Sequence, residues 1–175
     1  EIIFTGNIKR FNDDRGLKFI INSFLNEKMS EKFKLKIIGW PLEQINELRE
    51  LVRSLKMDSR ISIVDKLDRE STISNIQNAD IGLLINSSSD KHSLMHTSPL
   101  KYFEYLYAGL NIVAVDFPSH RALPFSENIS FFHENNEEEF IQALFESLSK
   151  DSIQKDQLKS ITLEERVNKL LLFIK

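Results

Sequence analysis

The residues best suited to chemistry lie in one stretch, Thr97-Ser98-Pro99-Leu100-Lys101-Tyr102-Phe103-Glu104-Tyr105-Leu106-Tyr107-Ala108-Gly109. Their order predicts a helix that opens on a polar loop. Thr97 or Ser98 can cap it, Pro99 suits the first helical position because its missing N–H would go unpaired there, and Gly109 can end it with left-handed φ. The N–H groups of the first turn and the positive end of the helix dipole favour a phosphate over Thr97 to Leu100, with Lys101 as a further cation. Glu104, further along, can accept hydrogen bonds from hydroxyls of the same ligand. A phosphate beside a diol is the chemistry of a sugar nucleotide. The competing reading is a capped amphipathic helix whose glutamate faces solvent and binds nothing.

Positioning these groups requires a scaffold, and the chain supplies one by alternating apolar runs with amphipathic ones. Ile2 to Gly6 reads as a buried strand, Asn7 to Gly16 as a polar loop, and Leu17 to about Asn26 as a helix burying Leu17, Ile20, Ile21, Phe24 and Leu25. Further strands are expected at Lys34 to Gly39, Arg60 to Val64, Asp80 to Ile85, Asn111 to Val115 and Ile129 to Phe132. Helices are expected from Leu42 to Leu55, from an Asp68 cap to about Asn78, and from an Asn136 cap through Phe140, Ile141, Leu144, Phe145 and Leu148. Asn86 to Ser93 and Ser149 to Lys159 read as polar connections, and a last helix is expected at about 163–174. This pattern predicts an α/β, Rossmann-like, three-layer α/β/α fold with a mainly parallel sheet of about six strands.

In such sheets a strand, a glycine-bearing loop and a helix bind phosphates beyond the carboxyl ends of the strands. Arg10 and Arg15 in the first loop are therefore candidates to pair a diphosphate, because guanidinium matches phosphate oxygens with a fork of donors. The alternative is that both are solvated loop charges. Asp116 to His120 leaves the fifth strand on the same rim.

Composition narrows the classes. A chain of 175 residues can form one domain, here residues 1–175, that buries roughly 70% of the surface its unfolded form exposes. Hydrophobic residues at 41% and charged residues at 28% exclude a disordered chain. No apolar run is long enough to span a bilayer, and a start without methionine predicts a piece of a longer protein. Zero cysteines exclude disulfides and thiolate metal sites. His92, His120 and His133 show no metal spacing and Asp13-Asp14 lacks companion ligands, so no metal is expected. A net charge of −3 argues against nucleic acid as a partner.

Ser98 to Leu106, followed by Ala108-Gly109 and Ile112-Val113-Ala114-Val115, resembles the signature segment of group 1 glycosyltransferases, in the C-terminal domain of their two-Rossmann-domain GT-B architecture. Thr162 to Arg166, with Leu170, Leu171, Phe173 and Ile174, is similar to the family's terminal segment. The resemblance runs nearly the full length. It implies the donor-binding half of a retaining glycosyltransferase, with the donor diphosphate on Gly6, Arg10, Arg15, Gly16 and Thr97 to Lys101, including Ser98, Pro99 and Leu100. Glu104 would hold the ribose, and Trp40 with Val64, Asp65 and Lys66 would flank the base; Trp40 could instead merely pack on the helix below it. No cofactor or metal is implied, because the UDP- or GDP-sugar is a substrate.

The resemblance also implies a missing N-terminal domain that binds a glycan or lipid-linked acceptor, so that this domain alone would be inactive. It points to bacterial polysaccharide biosynthesis in the cytoplasm, with peripheral membrane association of the full-length enzyme. Two positions depart from the family. Asn7 stands where an arginine is usual, and His96, eight residues before Glu104, replaces a glutamate. His96 could contact the donor sugar or be an ordinary surface histidine. Two other readings remain: half of a sugar-nucleotide epimerase of the same fold, and a non-catalytic nucleotide-binding or interaction module.

Overall fold

Six of the apolar runs become strands of one sheet. The structure, a computed structural model, describes residues 1–10, 13–29, 32–89, 91–96, 99–162 and 164–165. Strands β1 (Ile2–Asn7), β4 (Leu35–Trp40), β5 (Ile61–Asp65), β6 (Ile81–Leu84), β7 (Asn111–Val115) and β8 (Ile129–Phe132) lie in the order β5-β4-β1-β6-β7-β8. Every pairing in this sheet is parallel. Parallel neighbours need long crossovers, and those crossovers carry the helices onto both faces.

The two faces follow from the alternation of side chains along each strand. Ile2, Phe4, Leu35, Ile37, Leu83 and Val113 point to one face and share a core with α1 (Leu17–Ser23), α2 (Leu42–Ser54) and α7 (Glu137–Ser149). Ile3, Ile38, Leu84, Ile112 and Ala114 point to the other, against α3 (Arg69–Gln77), α5 (Leu100–Ala108) and α8 (Lys155–Leu158). The expected three-layer α/β/α fold is therefore the observed one. From β1 the sheet grows outward through β4 and β5, then restarts on the other side of β1 with β6. At that reversal the flanking connections diverge and leave a crevice at the carboxyl ends of β1 and β6.

Several local signals act as expected. Asp68 caps α3 by accepting a hydrogen bond from the Ser71 N–H at 2.8 Å, and Asn136 caps α7 by accepting from the Glu139 N–H at 3.2 Å. Gly109 closes α5 with φ of 80°.

Others differ. The helix expected to reach Asn26 stops at Ser23, and a 3-10 turn at Glu27–Met29 follows, which leaves Leu25 exposed. The first loop contains a small antiparallel ladder of β2 (Lys9–Arg10) and β3 (Asp13–Asp14). The Asn86 to Ser93 connection gives way to a short helix, α4 (Lys91–His96), and the later polar stretch contains α8. Phe145 and Leu148 lie at the margin of α7's apolar stripe rather than in the core, with Phe145 packed edge-on against Phe33. Pro99 is the residue before α5 rather than its first helical residue, because its ψ of 124° is extended. The proposed caps Thr97 and Ser98, and nearly all of the expected last helix at 163–174, lie outside the described residues.

Helix α5 sits unusually close to the sheet. A Cβ on Gly82 of β6 would lie 2.3 Å from the Tyr105 ring, so only glycine lets that ring lie flat on the strand. The Tyr105 hydroxyl accepts a hydrogen bond from the Thr5 N–H at 3.1 Å, fastening α5 to the carboxyl end of β1. Overpacking of a core typically costs about 1–3 kcal/mol. Gly82→Ala is expected to lower stability in urea unfolding by at least that, and Gly109→Ala by roughly 1 kcal/mol through its positive φ alone. An alanine at position 82 that unfolds with the parent chain would contradict the close seating of α5.

Candidate functional site

The crevice at the reversal is a cavity of about 710 Å³. Its floor is made by strand ends: Thr5, Gly6 and Asn7 from β1, Ile38 and Trp40 from β4, and Leu84 to Asn86 from β6. One wall is the start of α5, with Pro99, Leu100, Lys101 and Glu104. Arg15 stands on the side of the first loop, Lys66, Leu67 and Arg69 on the side of α3, and His92 and His96 on the side of α4. His120, from α6 (Pro118–Arg121), closes the deep end.

Lys101 sets the electrostatics. Its Nζ is buried and has no hydrogen-bond partner among the described residues. The ammonium lies 3.9 Å from the centroid of the Phe4 ring and close to Gly6, where even a Cβ would stand 3.7 Å from it. Burial pushes its pKa well below the usual lysine value, the Arg15 guanidinium adds to that, and Glu104 partly offsets it. Desolvation and a neighbouring like charge both disfavour the charged form, and an anion entering the cavity would relieve both.

Glu104 is one-third exposed and accepts a hydrogen bond from Arg69 Nη1 at 3.4 Å. Its carboxylate is thus held at the cavity edge with capacity for further donors. Trp40 ends β4 with 41% of its surface exposed, and the Lys66 ammonium lies 5.4 Å from its ring centroid, so the two form a flat wall. Tyr105 has its phenol pushed up to about 12 by burial, and it serves as a fastener.

Of the residues expected from sequence, Gly6, Arg15, Trp40, Lys66, His96, Pro99, Leu100, Lys101 and Glu104 line this one cavity. Gly16 lies in a small adjoining pocket with Phe19. Val64 and Asp65 do not line the cavity: Val64 packs against the core, and Asp65 is paired with Arg49 Nη2 at 2.8 Å. Arg10 is on β2, its side chain outside the description, as are Thr97 and Ser98 altogether. Sequence reasoning missed Asn86, Arg69 and His120. Asn86 is buried, with its Oδ1 unpartnered among the described residues. The loops of Asn86 and His120 read as lying at strand ends, but no local signal singles out these side chains or Arg69 at the start of α3.

Residues 1–150 match the family model described as Glycosyl transferases group 1. No curated protein sequence matches the chain significantly. Among solved structures, an α,α-trehalose 6-phosphate synthase from Burkholderia multivorans aligns with a TM-score of 0.62 at 13% identity, over 85% of this chain and 34% of that one. The C-terminal domain of a glycosyl transferase group 1 family protein, LpcC from Francisella tularensis, aligns with a TM-score of 0.61 at 17% identity, over 85% and 74%. A trehalose-6-phosphate protein from E. coli bound with UDP-2-fluoro glucose aligns with a TM-score of 0.57 at 14% identity, over 85% and 36%. The chain spans about a third of the length of the Burkholderia and E. coli proteins. At these identities the likeness is one of fold.

Lys101 gives a stability test that needs no ligand. Replacing a buried, uncompensated charge by a flexible apolar side chain only one atom shorter stabilises, so Lys101→Met is expected to raise stability by roughly 0.5–2 kcal/mol in urea unfolding. A lowered lysine pKa means that the unfolded chain holds more protons, so the parent chain gains stability as pH rises through the lowered value toward about 10. The advantage of methionine should therefore shrink in alkali. A methionine variant that is less stable at neutral pH would contradict the unpaired ammonium.

Proposed function

This chain belongs to the group 1 glycosyl transferases, and from that membership and its cavity we propose that it binds the nucleoside diphosphate of a sugar-nucleotide donor, as the donor-binding half of a retaining transferase. The observation that carries the proposal is Lys101: a buried ammonium, unpartnered among the described residues, in a cavity that it shares with Arg15. The E. coli neighbour bound with UDP-2-fluoro glucose supports the class of ligand.

In this reading the diphosphate lies between Lys101 and Arg15, against the first-turn N–H groups of α5, where the helix dipole adds its positive end. Glu104 accepts hydrogen bonds from the ribose hydroxyls, and Arg69, 3.4 Å away, holds its carboxylate at the cavity edge. The base lies toward Trp40 and Lys66, and the sugar toward His96. As the anomeric carbon–oxygen bond breaks, negative charge grows on the departing diphosphate. Fixed cations stabilise that charge without reorganising, which is how such a site lowers a barrier. Lys101 and Arg15 supply the charge that a metal would otherwise bring, so the proposed reaction needs none.

The acceptor, a glycan or a lipid-linked one, would be held by a further domain. Closure of the two halves would exclude water from the reacting carbon, and this half alone would bind donor without transferring sugar. No helix among the described residues is long and apolar enough to cross a membrane, and we place the enzyme in the cytoplasm, where it would reach membrane acceptors peripherally.

Calorimetric titration of the chain with UDP and GDP tests this reading. One of the two is expected to bind, with affinity falling at least tenfold in Lys101→Met and about tenfold in Glu104→Ala, the effect of losing roughly 1.4 kcal/mol of hydrogen bonding to charge. Binding that neither substitution weakens would put the site elsewhere.

A further inference from the structure

His120 is a buried titratable group that the proposed function does not use. It is fully buried on α6, its ring stacked on Phe117 with centroids 5.7 Å apart and an interplanar angle of 18°. Its Nδ1 lies 2.8 Å from the Val115 carbonyl oxygen, which only accepts, so Nδ1 carries the hydrogen. That fixes the tautomer. The remaining nitrogen, Nε2, keeps its lone pair, is buried, and has no partner among the described residues. The residue lines the same cavity as Lys101. A buried polar atom without a partner is rare in native proteins, and three of them in one cavity, Lys101 Nζ, His120 Nε2 and Asn86 Oδ1, imply a ligand with complementary atoms.

We propose that His120 is a second contact for the donor's diphosphate, and that its Nε2 takes a proton from solvent as the anion binds. The proposal rests on the diphosphate reading above and adds a proton to it. With the cavity empty, Nε2 is lone-pair only and faces a cationic environment, where a second positive charge is opposed. A phosphate oxygen is an acceptor, so it cannot pair with a lone pair; it can pair with Nε2–H. An opposite charge at contact distance raises a pKa by about 1–3 pH units, enough to move a histidine from neutral to charged near pH 7.

The surroundings favour this switch. Burial holds the imidazole below its usual pKa, and Lys101 on α5 presses in the same direction, while the Val115 carbonyl and Asp116 at the end of β7 oppose them. Asp116 is itself held by Arg121 of α6 through paired contacts at 2.7 and 2.8 Å, so it is largely engaged. The other ionisable groups around the cavity are Arg15 and Lys66, Arg69, Glu104 and, on α4, His92 and His96. Burial first, and then Lys101, hold the free imidazole toward its neutral form. An incoming anion would reverse the sign of the local field.

The linkage has a definite direction. Between the lower pKa of the free site and the higher one of the bound site, binding consumes a proton, so affinity falls by up to about tenfold per pH unit as pH rises. Calorimetry of UDP and GDP binding, repeated in buffers of different ionisation enthalpy, counts the protons taken up. His120→Asn keeps a donor for the Val115 carbonyl but cannot titrate, and the nucleotide's own phosphate ionisation contributes equally to both proteins. The parent chain is expected to take up close to one proton more than the variant. In the parent chain itself, the imidazole 15N signal of Nε2 is expected to move from the lone-pair to the protonated position at saturation, a readout that does not depend on the variant folding. A nucleotide that binds with equal proton uptake in both proteins, or leaves the Nε2 signal unmoved, overturns the role of His120 while the donor site stands. If neither nucleotide binds, the donor reading and this one fall together.

Discussion

A lysine ammonium removed from water, without a counter-ion among the described residues, is the constraint on which the rest of this structure turns. Such a group is expensive to hold, and a chain tolerates it only where the surrounding fold is strong enough to keep it in place. Here the Phe4 ring offers the face of its π-system at 3.9 Å, a weak attraction beside the loss of hydration. The deficit makes the cavity receptive to anions. It also makes Lys101 a case where stability and binding oppose each other, the trade often met at sites shaped for function.

The fold around it explains how the position is enforced. The helix that carries Lys101 is fixed in place, because α5 is held against β6 by the Tyr105 ring on Gly82 and against β1 by the Tyr105 bond to Thr5. Gly6 lies beside the ammonium and has a φ of 122°, a backbone conformation that favours glycine. Gly39 performs a related service next door, since a Cβ there would lie 2.7 Å from the Gly6 carbonyl oxygen. Gly82 and Gly39 therefore let a helix and two strand ends approach one another at the point where the sheet reverses, and the cavity lies at that point.

Much of this was legible in the residues themselves. Alternation and capping chemistry placed the six strands and the helices capped by Asp68 and Asn136, because these signals are local and strong. The limits of α1, α5 and α7 were less legible, since the end of a helix depends on what packs beside it, as Leu25, Pro99 and Phe145 illustrate. The segment from Pro99 to Glu104 reads as an anion site from its spacing, and its Pro99, Leu100, Lys101 and Glu104 line the cavity, but their relative burial was not visible. Lys101 read as an auxiliary cation and emerges as the buried centre of the cavity. Val64 and Asp65 were drawn into the base wall by their place in a turn, whereas Asp65 spends its charge on Arg49. His120 is placed on the rim by its exit loop, but its burial and tautomer, and an Nε2 without a partner among the described residues, exist only once β7 and α5 are side by side.

The most direct measurement is the titration of Lys101 by the NMR shift of its ε-carbon, in the chain alone and with inorganic pyrophosphate, the minimal anion of the proposed ligand. A pKa well below the usual lysine value that rises when pyrophosphate is added would bear out a buried cation awaiting an anion. An ordinary lysine value, unmoved by pyrophosphate, would contradict it.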